Sequence, residues 1–200
     1  MIIGLTGQSG AGKSTVSRKL SLQEGFVVID CDSIAKEVTA DGSLCNELIK
    51  KRFPEAVSDK LVLDRRKMAG IVFSDKEKLR EYESIIYPFI TQRVNDLISL
   101  YSSNGYQAII LDAPTLFEAG MDNICDLIIG VTADIDIRKT RIRQRDNISD
   151  EMIDKRFSSQ RNDDFFKIHC QYIINNSFDK AALDKETTNI ISKIRTMVNG

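Results

Sequence analysis

The sequence holds one histidine, His169, in 200 residues, and its four cysteines, Cys31, Cys45, Cys125 and Cys170, are scattered with no CxxC pair. One histidine excludes a multi-histidine metal site within a single chain. Scattered thiols fit a reducing compartment better than a disulfide framework or a zinc site. Neither sign of charge is in excess: 28 Lys and Arg stand against 29 Asp and Glu, a formal net charge of -1. Near-neutrality gives no ground for bulk binding to nucleic acid or to an anionic membrane. Any anionic ligand must therefore be held by a local arrangement of donors. No apolar run approaches membrane-spanning length, and the N-terminus shows no basic leader ahead of a long apolar core. A cytoplasmic protein is expected. The chain also shows no internal repeat, low-complexity tract or linker.

What is present is the composition of a folded domain, 42% hydrophobic and 28% charged, in a length that suits one domain with room for an inserted lobe. "IIGLT" at the N-terminus is short, β-branched and apolar, as a buried strand should be. "GKSTVSRKLSLQEG" predicts a helix ended by Gly25, "FVVID" a second strand, and "SIAKEVTA" a second helix. Strand and helix in alternation predict a parallel sheet with crossover helices. Residues 36–103 break the alternation with a run of helices. One follows Asp64, and one is opened by a Ser74/Glu77 capping box and interrupted at Pro88. These residues are read as an inserted helical lobe. "YQAIILD" and "DLIIGV" then resume the strands. "DIDIRKTRIRQRD" predicts a basic helix, residues 149–161 another with its cap at Ser149, "QYIIN" a last strand, and residues 179–198 a terminal amphipathic helix.

Between the first strand and first helix, Gly7-Gln8-Ser9-Gly10-Ala11-Gly12-Lys13-Ser14 matches GxxxxGK[ST]. Glycines let successive N–H groups turn inward into an anion nest, and the helix that starts there adds its positive end. Lys13 reaches terminal phosphates, and the Ser14 hydroxyl can ligate Mg²⁺. An ordinary glycine-rich turn does not need Lys-Ser at this spacing; a nucleoside triphosphate does. There is no Asn-Lys-x-Asp guanine-reading motif and no Asp-x-x-Gly after a strand, which weighs against a GTPase switch. A mechanical or transporter-type ATPase normally belongs to a longer chain. A small-molecule kinase fits the length.

Such a kinase needs a carboxylate near its acceptor hydroxyl. Asp30-Cys31-Asp32 closes the second strand, where ligands of open α/β sheets gather. Asp32 serves either as a helix cap or as that carboxylate. Arg138, Arg141 and Arg145 recur at three- and four-residue spacing and share one helix face. That face is either solvated, a nucleic-acid patch, or a set of charges for a phosphoryl group in transfer. The lack of interleaved aromatics weakens the nucleic-acid reading, and the phosphate loop favours the last.

In order along the chain, "GLTGQSGAGKST", "VIDCDSIAKEV", "LDRRKMAGIVF", "IIYPFI", "DAPTLFEAGM" and "RIRQRDNIS" resemble the dephospho-CoA kinase family from residue 1 to about residue 176. The resemblance implies an α/β, three-layer P-loop kinase fold with a parallel central sheet. It divides the chain into a core (about 1–35, 104–137 and 166–200), a helical substrate lobe (about 36–103) and a helical lid (about 138–165). It further implies ATP and Mg²⁺ as cosubstrate and cofactor, and dephospho-CoA as a small-molecule partner phosphorylated on its ribose 3′-hydroxyl. No nucleic acid or membrane partner is expected, and the chain is read as a monomer or weak homo-oligomer. By that resemblance Asp32, Lys13 and Arg141 are catalytic. Gly7, Gly10, Ala11, Gly12, Lys13, Ser14, Thr15 and Arg145 hold ATP, with Ser14 on the metal. Asp32, Arg65, Tyr87, Leu116 and Phe117 face the acceptor. The chain departs from the family at Tyr87-Pro88, where His-Pro is usual, and at Gln171 and Asn175, where carboxylates are usual. A kinase for another small acceptor, such as a nucleoside monophosphate or a small hydroxy acid, and a non-catalytic nucleotide-binding module are the alternatives.

Overall fold

A computed structural model describes residues 1–158 and 160–199. Five strands form one sheet: β1 (Ile2–Gly7), β2 (Phe26–Asp30), β3 (Ala108–Asp112), β4 (Leu127–Thr132) and β5 (Tyr172–Asn175), in the order β2-β3-β1-β4-β5. Pairing is parallel, with Ile2 opposite Ile109 and Leu5 opposite Asp112 on one side of β1. On its other side Ile3 lies opposite Leu127 and Gly7 opposite Val131, and β5 extends the sheet beyond β4. A parallel sheet needs crossover connections, which cover its faces with helices and make its strands continuously apolar. β1 and β4 fit this: nearly every residue of both is buried.

The chain divides into two compact units, Met1–Ile29 with the chain from Tyr101 onward, and Asp30–Leu100. In the first, Ile3 and Leu5 of β1, Ile129 and Val131 of β4 and Ile174 of β5 share a core with Val16 and Leu20 of α1 (Lys13–Ser21). Leu183, Ile190, Ile191 and Ile194 of the terminal helix, Lys180–Asn199, complete it. Burying side chains of this size stabilises the fold by about 2 kcal/mol each, which fixes β1 and therefore the turn that follows it. α1 ends at Ser21 with Leu22 as its C-cap, earlier than the Gly25 stop expected from sequence.

The second unit is helical: α2 (Cys31–Val38), α3 (Leu44–Arg52), α4 (Arg65–Val72) and most of α5 (Lys76–Ser103). Ser43 caps α3 and Asp64 caps α4 through side-chain oxygens. Two expectations are corrected here. Pro88 does not interrupt α5, which runs unbroken through it; the buried stripe Ile86, Ile90 and Val94 holds the helix across the missing N–H. Nor does Ser74 cap it. Asp75 Oδ1 accepts from Glu77 N at 2.8 Å, while the Ser74 hydroxyl donates back to Ile71 O.

The remaining helices belong to the sheet unit: α6 (Ile135–Asp146), α7 (Asp150–Ser158), α8 (Asp163–His169) and α9 (Lys180–Asn199). Ser149 caps α7 as expected, its Oγ accepting from Met152 N at 3.4 Å. Of the helix expected over 149–161, Ser159 lies outside the described residues.

Candidate active site

β1 is the strand at which the sheet order turns, with β3 on one side and β4 on the other, and ligands of open parallel sheets bind at the carboxyl edge there. Gly7 to Ser14 occupy that edge. Gly10 and Gly12 have φ of 79° and 96°, a left-handed backbone that favours glycine. Space sets a second requirement at Gly12, because a Cβ there would run into Asn176 Nδ2. No side chain among the described residues caps α1, whose N-cap is Gly12 itself. Thr15 N already donates to Gly12 O at 3.0 Å, so the amides of Lys13 and Ser14 are the helix-start donors that an anion nest would offer to a ligand. Ser14 and Thr15 are exposed at this helix start.

Neighbouring strand ends supply the rest. Lys13 Nζ is paired with the carboxylate of Asp112, the last residue of β3, and both side chains are largely buried. From the end of β5, Asn176 Nδ2 donates to Ala11 O at 2.7 Å. From α6, Arg141 donates to Gly10 O at 3.3 Å and to Asn176 O at 3.1 Å. On the other flank, Ser9 N donates to Gln160 Oε1 at 3.2 Å and Gln8 Nε2 donates to Arg161 O at 3.1 Å. The loop is thus held by reciprocal glutamine bonds on one side and by an arginine and an asparagine on the other. That is preorganisation: the amides are aimed before a phosphate arrives.

The basic helix does not present one uniform face. Arg138 is buried with its guanidinium 4.4 Å above the Phe157 ring. Burial pulls it below the ordinary arginine value, and the charge of Asp163 works against that pull. Arg141 turns onto the loop. Arg145, expected to touch ATP, is exposed and forked onto Asp146 at 2.6 and 2.9 Å. Hydrogen bonds from Arg145 and Arg156 hold the Asp146 carboxyl well below the usual carboxylate range.

Of the residues expected to face the acceptor, Leu116 is fully buried and would abut a side chain at Gly4. Phe117 is half-buried in an aromatic group, 5.0 Å from Phe165 and edge-on to it. Asp32, Arg65 and Tyr87 belong to the other unit. Asp30, not Asp32, caps α2, its Oδ1 accepting from Asp32 N and Ser33 N at 3.0 and 3.1 Å. Asp32 is exposed in the first turn of the helix. Arg65 donates to Thr39 Oγ1 at 2.7 Å, and Tyr87 donates to Glu83 Oε1 at 2.8 Å. At the two amide positions the carbonyl oxygen does the work: Gln171 Oε1 accepts from Ile128 N, and Asn175 Oδ1 from Ser177 N. A carboxylate would serve equally there.

Asp112, Asn176 and Gln160 were not among the residues singled out from the sequence. Only Asp112 carried a usable signal, an acid closing the apolar strand "AIILD".

A phosphate loop at the turning point of a parallel sheet, with a lysine, a strand-end aspartate and an arginine around it, defines a P-loop kinase fold. The family model described as CoaE, dephospho-CoA kinase, matches residues 1–181. This chain belongs to the dephospho-CoA kinase family, and is a kinase whose family implies ATP as cosubstrate. It is similar to the dephospho-CoA kinase of Fusobacterium nucleatum, 41% identical over 161 residues, 80% of this chain and 81% of that one. The Bdellovibrio bacteriovorus dephospho-CoA kinase is 34% identical over 198 residues, 98% of each chain. Among solved structures, the dephospho-CoA kinase of Campylobacter jejuni aligns with a TM-score of 0.68 at 26% identity, covering 96% of both chains.

Proposed function

We propose that this chain transfers the γ-phosphoryl group of ATP to the ribose 3′-hydroxyl of dephospho-CoA, giving coenzyme A and ADP. It does so in the cytoplasm, as a monomer or weak homo-oligomer. What carries the reading is the convergence of Lys13, Asp112 and Arg141 on one phosphate loop in a chain of this family. The loop amides and Lys13 bind the β- and γ-phosphates. Asp32 takes the proton of the acceptor hydroxyl as its oxygen bonds to the γ-phosphorus and the bond to the β-phosphate oxygen breaks. Arg141 meets the charge that spreads over the phosphoryl oxygens. Residues 138–165 serve as the lid that keeps out water, which would otherwise compete for the phosphoryl group. Residues 36–103, with Arg65 and Tyr87, serve as the acceptor lobe, and Phe117 lines the floor.

The donors suit Mg²⁺. The Ser14 hydroxyl and the Asp112 carboxylate are hard oxygen ligands. Among the described residues there is no group of three His, Cys, Asp or Glu that would form an all-protein cage. Mg²⁺ ordinarily takes one or two protein oxygens, with phosphate and water completing its shell. Bound there, it would offset charge between the β- and γ-phosphates.

The test is direct. The protein is incubated with Mg²⁺, ATP and dephospho-CoA, and the acceptor is followed by mass for one added phosphate. Acceptor-dependent ADP release with a nucleoside monophosphate or a small hydroxy acid, and none with dephospho-CoA, would overturn the reading.

A further inference from the structure

Beside the phosphate loop, within the sheet unit, lies a cavity of ≈ 690 Å³ bounded by the end of β4, the start of α6, Phe157 of α7 and residues 160–164. Its size is that of a small-ligand pocket. Two of its lining residues are nine-tenths buried polar side chains with unspent hydrogen-bonding capacity. Arg138 is 6% exposed, and its Nε has no partner among the described residues. Gln8 is also 6% exposed; its Nε2 is used on Arg161 O, and its Oε1 has no partner among the described residues. A buried donor and a buried acceptor in the wall of one cavity are costly unless something completes them.

Charge selects what that something is. Arg138 and Arg161 share the lining with Asp134, Asp136, Asp163 and Asp164. A phosphate would meet four carboxylates there, and a cation would meet the buried guanidinium. A neutral chain with carbonyls, N–H groups and hydroxyls opposes neither, and Phe157 and Ala133 give its methylenes an apolar wall. ATP offers no such chain. Dephospho-CoA does, in the pantetheine arm beyond its diphosphate, which carries two amides, a hydroxyl and a thiol.

We propose that this cavity seats the neutral, amide-bearing arm of the acceptor, with Arg138 donating to an arm carbonyl and Gln8 Oε1 accepting from an arm N–H or hydroxyl. The proposal rests on the dephospho-CoA reading above. It makes Arg138 a specificity-determining residue, separate from Arg141 on the phosphoryl group.

The experiment compares dephospho-CoA with the β-methyl ester of ADP, which keeps the adenosine, ribose hydroxyls and diphosphate but lacks the arm. Arg138→Gln should lower the ratio of kcat/KM for dephospho-CoA to that for the methyl ester about tenfold, the effect of losing one charge-assisted hydrogen bond. An unchanged ratio overturns the proposal. Free pantetheine should compete with dephospho-CoA in the unaltered enzyme, with an inhibition constant raised about tenfold in the variant; no competition overturns it. Should Arg138→Gln not fold by its thermal melt, competition by free pantetheine in the unaltered enzyme decides alone. Failure of the unaltered enzyme to phosphorylate dephospho-CoA strikes the proposed function. Turnover with an unchanged ratio strikes this inference alone. Calorimetry with pantetheine reads the cavity in either case.

Discussion

The Lys13 ammonium is paired with the Asp112 carboxylate, joining the first residue of α1 to the last residue of β3. Two charges withdrawn from water at a strand end are stable only as a pair, and a polyphosphate offers Lys13 a second anion. Replacing Asp112 by Asn keeps the shape and removes the charge. The expected outcome is a kcat lowered 10- to 100-fold, on the order seen when a group supporting a bound metal is lost. More Mg²⁺ should be needed for half-maximal rate. Unchanged Mg²⁺ titrations would leave Asp112 a purely structural partner of Lys13.

Asp32 and Arg141 should separate in single-turnover kinetics. Asp32→Asn is expected to slow turnover roughly 10²–10⁴-fold, the usual worth of a positioned proton acceptor, with ATP affinity within about twofold. Arg141→Ala removes the charge opposite the transferring group and should slow the chemical step about 10³-fold. It also releases Gly10 O and Asn176 O, so ATP binding should weaken as well. Equal effects of both variants on ATP affinity would contradict the division of roles.

In the helical unit, Asn46 is the polar side chain whose loss should be felt most directly in stability. Fully buried, it donates through Nδ2 to Thr39 O, Ala40 O and Leu61 O at 3.3, 3.0 and 2.8 Å, tying α3 to the chain on either side. Asn46→Asp keeps the outline but removes the donor and buries a charge among carbonyls. A loss of about 3 kcal/mol is expected, read as a shift in the urea midpoint.

Burial raises three thiols from 9.0, Cys45 to about 11, and Cys125 and Cys170 to about 12. With the folded value above the unfolded one, the unfolded chain gives up its thiol protons first. This contribution to stability is therefore whole below pH 9 and is lost as pH rises toward 12. The urea midpoint should fall between pH 8 and pH 10.5, and Cys170→Ala should flatten that decline. A slope unaffected by the substitution would assign the alkaline loss to other groups.

The phosphate loop was legible because its glycine, lysine and serine signature lies within eight consecutive residues, and the apolar strands because burial on both faces leaves no polar break. Asp112 was not selected because its meaning depends on Lys13, reached only through sheet pairing. The basic helix misled at two positions. Spacing put Arg138, Arg141 and Arg145 on one face, but a long side chain bends, so one lies over Phe157, one on the loop and one on Asp146. Pro88 was overread: its local cost is outweighed by the apolar stripe of α5. At α2, two acids stood within reach of the cap, and the one preceding the helix took it, as an oxygen aimed at the N2 and N3 amides must.

The central position of β1 bears on how this enzyme comes into being. Ile2 pairs with Ile109 and Ile3 with Leu127, so β1 leaves the ribosome well ahead of either strand that will flank it. Until those distant partners have been synthesised, β1 has no strand to pair with. A nascent chain halted before residue 127 would carry the whole glycine-rich signature and still bind no nucleotide, for want of the arginine and asparagine that secure it. Capacity to grip ATP would emerge late and abruptly, which makes retention on immobilised nucleotide a sensitive readout of completed synthesis.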